Sequence, residues 1–146
     1  MLVRFANKND ISRMQLIRNA VEENRLSDPS VISDNDYKPF LYERGRGWVC
    51  ECEGDITGFS FCDFRHQNIW ALFVHPLYEG KGIGRNLQHE MLKFYFGRGY
   101  EKVWLGTAPA TRAERFYITS GWKEIGTHGK EEIKFEMTRS CWLNSL

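Results

Sequence analysis

The chain has 146 residues, with 20 Lys and Arg against 19 Asp and Glu, a net charge of +1 and a sequence pI of about 7.7. At this size a chain buries about two-thirds of its unfolded surface, so a single domain can stand without disulfide or metal staples. Balanced charge with no basic stripe disfavours nucleic acid or a membrane as partner, and no stretch reaches the ~20 apolar residues that span a bilayer. Met1-Leu2-Val3-Arg4-Phe5 lacks a long apolar leader core, and the expected location is the cytoplasm. No linker or repeat interrupts the pattern, which predicts one domain over residues 1–139 and a short tail over 140–146.

In chain order, Leu2 to Ala6 reads as a strand. Asn7 or Asn9 then caps a helix in which Ile11, Met14, Leu16, Ile17, Ala20 and Val21 recur at roughly helical spacing. Asn24 to Ser33, with Asp28-Pro29, reads as loop. Ser33-Asp34-Asn35-Asp36 is a capped helix start that sends Tyr37, Phe40 and Leu41 inward. Two strands, Trp48 to Glu53 and Ile56 to Phe64, flank a hairpin turn at Gly54-Asp55. A nearly all-apolar strand, Ile69 to Val74, is expected to be covered on both faces. After it come a helix with Ile83, Leu87, Met91, Phe94 and Tyr95 along one side, a strand at Lys102 to Leu105, and a helix before Gly121. The strands Trp122 to Thr127 and Glu132 to Thr138 close the order. Cys50, Cys52, Cys62 and His66 do not match a common zinc spacing, so buried reduced thiols and no metal are expected; no function is read into Cys141.

Between the apolar strand and its helix lies the most informative segment, Val74-His75-Pro76-Leu77-Tyr78-Glu79-Gly80-Lys81-Gly82-Ile83-Gly84-Arg85. Glycines at 80, 82 and 84 let the backbone approach a ligand, and the helix directs its positive dipole end at the same point. The ligand expected there is phosphate. A Walker A loop is excluded because His75 stands where its first glycine belongs and Gly82 follows the lysine in place of Ser or Thr. A dinucleotide fingerprint, and with it an oxidoreductase, is disfavoured because its third glycine falls on Arg85 and the next strand ends at Leu105-Gly106-Thr107 without a ribose-binding acid.

This turn resembles motif A of the GNAT N-acetyltransferase superfamily: a Gln or Arg, two residues, Gly, one residue, then Gly or Ala. Gly82 and Gly84 fit, while Glu79 takes the Gln/Arg position, where a carboxylate must point away from a pyrophosphate or cap the turn. Downstream, Thr111-Arg112-Ala113-Glu114-Arg115-Phe116-Tyr117 and Gly121-Trp122 are similar to the family's second signature, an Ala three residues before Phe-Tyr and then Gly-Phe. The two motifs cover roughly residues 69 to 122. The resemblance implies a mixed α/β fold: a twisted, mostly antiparallel sheet flanked by about four helices and splayed at its centre for acyl-CoA.

It also implies acetyl-CoA, or another acyl-CoA, as donor. Backbone amides of about Gly80 to Arg85, Ile83 included, would hold the pyrophosphate, with Lys81 or Arg85 adding charge. The pantetheine arm would lie along the edge of Leu72, Phe73 and Val74, and a main-chain N–H of Phe73 or Val74 would polarise the thioester carbonyl. Ala110 replaces an Asn common in the family, so its pantetheine contact falls to another group, with Thr111 the candidate. Tyr117 matches the family's general acid; a phenol of pKa ~10 is protonated at neutral pH and can donate to a departing thiolate.

An alkylamine of pKa ~10 is only about 0.1% neutral at pH 7, a cost of ~4 kcal/mol in barrier unless a base assists. Gln67-Asn68-Ile69 offers no carboxylate where some relatives have one, which leaves His66, Asp63, Glu22 and Asp36 as candidates. Acidity at Glu22, Glu23, Asp34 and Asp36 falls in the segment that walls the acceptor site in the family, so Glu22, Asp36 and Tyr37 are expected to meet a cationic amine. Two functions stay open: an N-acyltransferase acting on a small-molecule or protein amine, and a catalytically silent acyl-CoA-binding domain. The oligomeric state stays open between monomer and homodimer.

Overall fold

The computed structural model describes residues 1–21 and 32–146. Seven strands form a single sheet: β1 (Leu2–Phe5), β2 (Gly45–Cys52), β3 (Asp55–Asp63), β4 (Asn68–Val74), β5 (Lys102–Thr107), β6 (Lys123–His128) and β7 (Glu132–Thr138). Their spatial order is β1-β2-β3-β4-β5-β7-β6, and every neighbouring pair is antiparallel except β4 and β5. Among the described residues five α-helices accompany the sheet: α1 (Ile11–Ala20), α2 (Asp34–Tyr42), α3 (Ile83–Gly97), α4 (Arg112–Thr119) and α5 (Arg139–Asn144). The mixed, mostly antiparallel sheet agrees with the expected fold class, with one helix more than expected.

Strand alternation separates two cores. Val49, Phe59, Phe61 and Ala71 face α1 and α2, where Met14, Ile17, Tyr37 and Leu41 are fully or almost fully buried. Trp48, Cys50, Ile69, Leu105 and Phe135 face the opposite layer with Leu87, Met91 and Tyr95 of α3. Cys50 and Cys62 are buried free thiols, and burial pushes Cys62 up to about 12, which makes it chemically inert. Among the described residues no cluster of His, Cys, Asp and Glu could hold a metal, and no helix is long and apolar enough to cross a membrane.

Local signals explain most element boundaries. Asn7 caps the chain into α1 through a short 3-10 turn, its side chain accepting from the Asn9 N–H at 2.9 Å. Ser33 and Asp36 close a capping box on α2. The β2–β3 turn is centred on Glu53 and Gly54, one residue earlier than expected; φ is +52° and +86°, the paired left-handed geometry that suits a two-residue hairpin. Two expectations change. Leu16 points outward, 60% exposed, because Ile11, Met14 and Ile17 alone fill the buried stripe of α1. The segment 140–146 contributes to α5, which inserts Trp142 against Phe96 and His89, so a tail by composition is a packed helix in the fold.

The centre of the sheet positions the site. In β4 the register passes from Phe61↔Ala71 to Cys62↔Ile69, which leaves Trp70 as an extra residue, a β-bulge. Trp70 and Ala71 therefore face the same layer, and a bulged strand bends. β4 pairs with β5 only at Asn68↔Trp104. That closed end is pinned by the Trp104 N–H to the Gln67 carbonyl at 3.1 Å and by the Trp104 indole to the His66 carbonyl at 3.0 Å. From there the strands diverge toward Val74 and Thr107.

Below the closed end, Asp63 accepts from Arg44 Nη2 at 2.8 Å and Nε at 3.1 Å, from the Arg65 N–H at 2.9 Å and from His66. Burial alone would raise this carboxyl, but the hydrogen bonds from Arg44 and the two backbone N–H groups hold it below the ordinary value of 3.8. A lowered carboxyl contributes stability above its ordinary pKa and loses it as pH falls through the folded-state value. Asp63→Asn should cost about 1–3 kcal/mol at pH 7. In urea unfolding, the gap between wild type and variant should narrow as pH drops below about 4; a gap that widens would reverse the assignment.

Candidate active site

The turn leaving β4 follows from its sequence. Pro76–Tyr78 forms one 3-10 turn capped by His75, whose Nδ1 accepts from the Leu77 N–H at 3.1 Å. Gly80 (φ +78°) and Gly82 (φ +83°) then take left-handed conformations that aim the chain into α3. Gly84 is different. Its backbone needs no special φ, but a Cβ there would lie 3.5 Å from the Phe116 ring and 3.7 Å from Val74 Cγ2. The amides of Ile83, Gly84 and Arg85 open α3 and have no carbonyl one turn back to accept them, which leaves the helix start suited to an anion.

The open edge of β4 adds a second set of donors. The His75 N–H bonds the Thr57 carbonyl at 2.8 Å, and the Phe73 carbonyl lies 2.9 Å from where a Cβ on Gly58 would sit, so His75 and Phe73 both point toward β3. Successive residues of a strand address opposite edges. Val74 and Leu72 therefore turn their N–H groups toward the wedge, where β5 has diverged. Of the two candidates for the thioester contact, Val74 is the one that faces the gap.

Two cavities enter the wedge. The first is walled by Val74, Glu79, Gly84 and Phe116 on the side of the glycine turn. The second lies toward Arg18, Trp70, Gly106, Thr107 and Glu132. They share Leu72, Phe73, Ala113 and Tyr117. Tyr117, only 6% exposed, sits between them against Phe116, Trp122 and Phe135. Burial pushes its phenol well above the ordinary value of 10, so the group is a proton donor at any physiological pH.

The remaining predicted residues divide clearly. Glu79 stands on the rim of the first cavity, its carboxylate 3.7 Å from Arg112 Nη1, which offsets its charge near an anion site. Arg85 joins Arg112 and Arg115 along an adjoining basic cleft between α3 and α4. The Lys81 ammonium lies over the Tyr78 ring, 5.4 Å from its centre. The Ile83 side chain is buried in the core, so only its backbone can face a ligand. The Thr111 hydroxyl accepts from the Glu114 N–H and donates to the Ala108 carbonyl, so it serves the cap of α4.

His66, Asp36 and Tyr37 do not join the site. His66 is engaged with Asp63 and Arg44 beneath the closed end of the wedge, at the far end of β4 from Val74. Asp36 caps α2. Tyr37 is fully buried, donating to Gln15 Oε1 at 3.0 Å and packing on Phe59, Phe61 and Trp70. Glu22 lies outside the described residues. Two charged residues that the sequence does not single out line the second cavity instead. Arg18 follows Ile11 by seven and Met14 by four residues, so it lies on the face of α1 turned to the sheet, over Trp70 and Phe73. Glu132 comes from the β6–β7 hairpin, where its carboxylate covers Gly106 and stands 4.0 Å from His128 Nε2.

A splayed sheet, an anion-binding turn at its mouth and a buried phenol between two cavities define an acyl-transfer type of site. A model of the acetyltransferase (GNAT) family matches residues 11–122. An uncharacterized N-acetyltransferase of Archaeoglobus fulgidus is 30% identical over 150 residues, covering 90% of this chain and all of the relative. The L-amino acid N-acyltransferase MnaT of Escherichia coli is 29% identical over 147 residues, 87% of this chain and 86% of the relative. In fold, yncA of Salmonella typhimurium, solved with its cofactor acetyl-CoA, superposes with a TM-score of 0.74 at 21% identity, covering 94% of this chain and 93% of that one. The chain belongs to the GNAT acetyltransferase family.

The glycines of the turn should respond differently to a methyl group. Gly82→Ala forces a side chain into left-handed backbone and should cost about 1–2 kcal/mol. Gly84→Ala meets only ordinary contacts and should change stability by less than about 0.5 kcal/mol. Denaturant unfolding of both variants, without ligand, checks the contrast.

Proposed function

We propose that the protein transfers an acetyl group from acetyl-CoA to the primary amine of a small molecule by direct attack on the thioester. The observation that supports this most is the position of Tyr117 between two cavities that share Leu72, Phe73 and Ala113 with it as walls. A binding domain needs the first cavity alone. The name of the Escherichia coli relative, an L-amino acid N-acyltransferase, and that of a Salmonella typhimurium relative, an L-methionine sulfoximine/L-methionine sulfone acetyltransferase 30% identical over 105 residues, favour a small acceptor over a protein.

In this reading the amides at the start of α3 hold the pyrophosphate of acetyl-CoA, and Arg85, Arg112 and Arg115 meet the nucleotide end. The pantetheine arm runs along the open edge of β4. The Val74 N–H donates to the thioester oxygen, where negative charge develops. The amine enters through the second cavity, attacks the carbonyl carbon and forms the C–N bond. As the C–S bond breaks, Tyr117 donates its proton to the thiolate, and the proton lost by the amine balances the exchange through solvent. Glu132, the carboxylate lining the acceptor cavity, attracts the ammonium and accepts its proton directly or through water. His66 and Tyr37 have no part.

Gly84→Asp should abolish acetyl-CoA binding in a folded protein, because a carboxylate would occupy the pyrophosphate position. Calorimetric titration with wild-type affinity in that variant would sink the cradle.

Tyr117→Phe separates enzyme from binding domain. It keeps the ring's packing, so acetyl-CoA affinity should persist while kcat falls ~10²- to 10⁴-fold. Because the phenol titrates far above its usual range, any alkaline limb between pH 7 and 10 should survive in the residual activity of Tyr117→Phe. Equal turnover in wild type and variant, with chemistry rate-limiting, would remove Tyr117 from the mechanism. Acetyl-CoA binding without turnover across a broad amine panel would favour the binding-domain reading.

A further inference from the structure

The second cavity contains a cation with no anionic partner among the described residues. Arg18 projects from α1 over the rings of Trp70 and Phe73, its guanidinium carbon 5.5 and 4.9 Å from their centres. Its Nε and Nη1 are buried from solvent, and among the described residues neither makes a hydrogen bond. The guanidinium also lies within hydrogen-bond reach of the Tyr37 phenol, whose hydroxyl donates to Gln15. Stacking on ring faces stabilises the cation but uses none of its in-plane N–H donors. Buried guanidinium donors are costly to leave unmet, and such groups are ordinarily satisfied.

The same cavity carries Glu132 at another point of its wall and Tyr117 at its inner end. One small molecule placed there would meet a cationic group, an anionic group and the reaction centre together. Its volume is about 180 Å³, smaller than the pockets that take drug-sized ligands, so it suits only a small acceptor. A simple polyamine would set positive charge against Arg18, whereas a zwitterion satisfies both charges at once.

We infer that Arg18 is the carboxylate subsite of the acceptor, and that the acceptor is a short amino carboxylate, of which an α-amino acid is the smallest form. Its carboxylate accepts from Arg18, and its ammonium lies toward Glu132 and the thioester. The apolar faces of Trp70 and Leu72 border the space left for the side chain. This rests on the acetyl-transfer reading for the location of the reaction centre. It replaces the cationic acceptor expected from the acidity of residues 22–36 and makes Arg18 a specificity-determining residue.

The test uses matched acceptors: the protein α-amino acids, their carboxamides and the corresponding decarboxylated amines. Coenzyme A release is measured at saturating acetyl-CoA. For at least one side chain, wild type should favour the free carboxylate by about 100-fold in kcat/KM. Arg18→Gln should lose that preference through acceptor KM, leave acetyl-CoA KM unchanged, and retain the wild-type melting temperature within a few degrees. Arg18→Lys should fall between. Equal turnover of acid and carboxamide in wild type, or a preference that survives Arg18→Gln, overturns the inference.

Equilibrium binding of the same amino acids to the protein saturated with coenzyme A separates the two readings. If no acceptor is acetylated but an amino acid binds wild type at least about tenfold more tightly than Arg18→Gln, the subsite stands and acetyl transfer fails. Binding of none of the acids overturns the subsite.

Discussion

The separation of β4 from β5 is the constraint on which the rest of the molecule depends. Two neighbouring parallel strands normally pair along their length, because an interior strand with unmet N–H and C=O groups loses hydrogen bonds that water or a partner must replace. Here the pairing stops after one residue pair, at Asn68 and Trp104, and the bulge at Trp70 bends β4 away. The core compensates on the face covered by α1 and α2: Trp70 stacks on Phe40, with rings 4.3 Å apart, and Phe61 and Tyr37 pack around it. Packing on that face supports the bent strand beside the wedge.

What could be read from the residues alone was local. The glycine turn, the Ser33–Asp36 cap and the Tyr37, Phe40, Leu41 stripe depend on spacing within a few residues, and each formed as the pattern implied. The hairpin moved by one residue because Glu53 accepts a left-handed conformation beside Gly54. Assembly across the sheet was not legible. Arg18 and Glu132 are 114 positions apart and share a cavity only because α1 covers one face of β4 while β7 lies beyond β5. His66 lies away from the open end of the wedge for the same reason: proximity to β4 in the chain placed it at the end that closes.

Charge is distributed to match this geometry. The departure from the family pattern at Glu79 is answered by Arg112, one turn before the phenol, so the mouth of the first cavity keeps its preference for anions. Deeper in, the acidity noticed at Asp36 is spent on a helix cap, while the second cavity is lined by the Arg18 guanidinium and the Glu132 carboxylate. Net composition conveys neither fact, since it counts charges without regard to which are already neutralised by a cap or an ion pair.

The open rung of β4 also bears on how the protein behaves without ligand. An unpaired strand edge inside a sheet is a template for any extended chain, and natural proteins usually blunt such edges with charge, proline or a covering element. Leu72, Phe73 and Val74 are apolar and only half-buried, and proline appears only at position 76, beyond the gap. In the proposed reading a cofactor arm lying along this edge would act as a removable strand, sealing a surface that could otherwise recruit a neighbouring molecule. Self-association and cofactor occupancy would then be linked through the same few backbone groups.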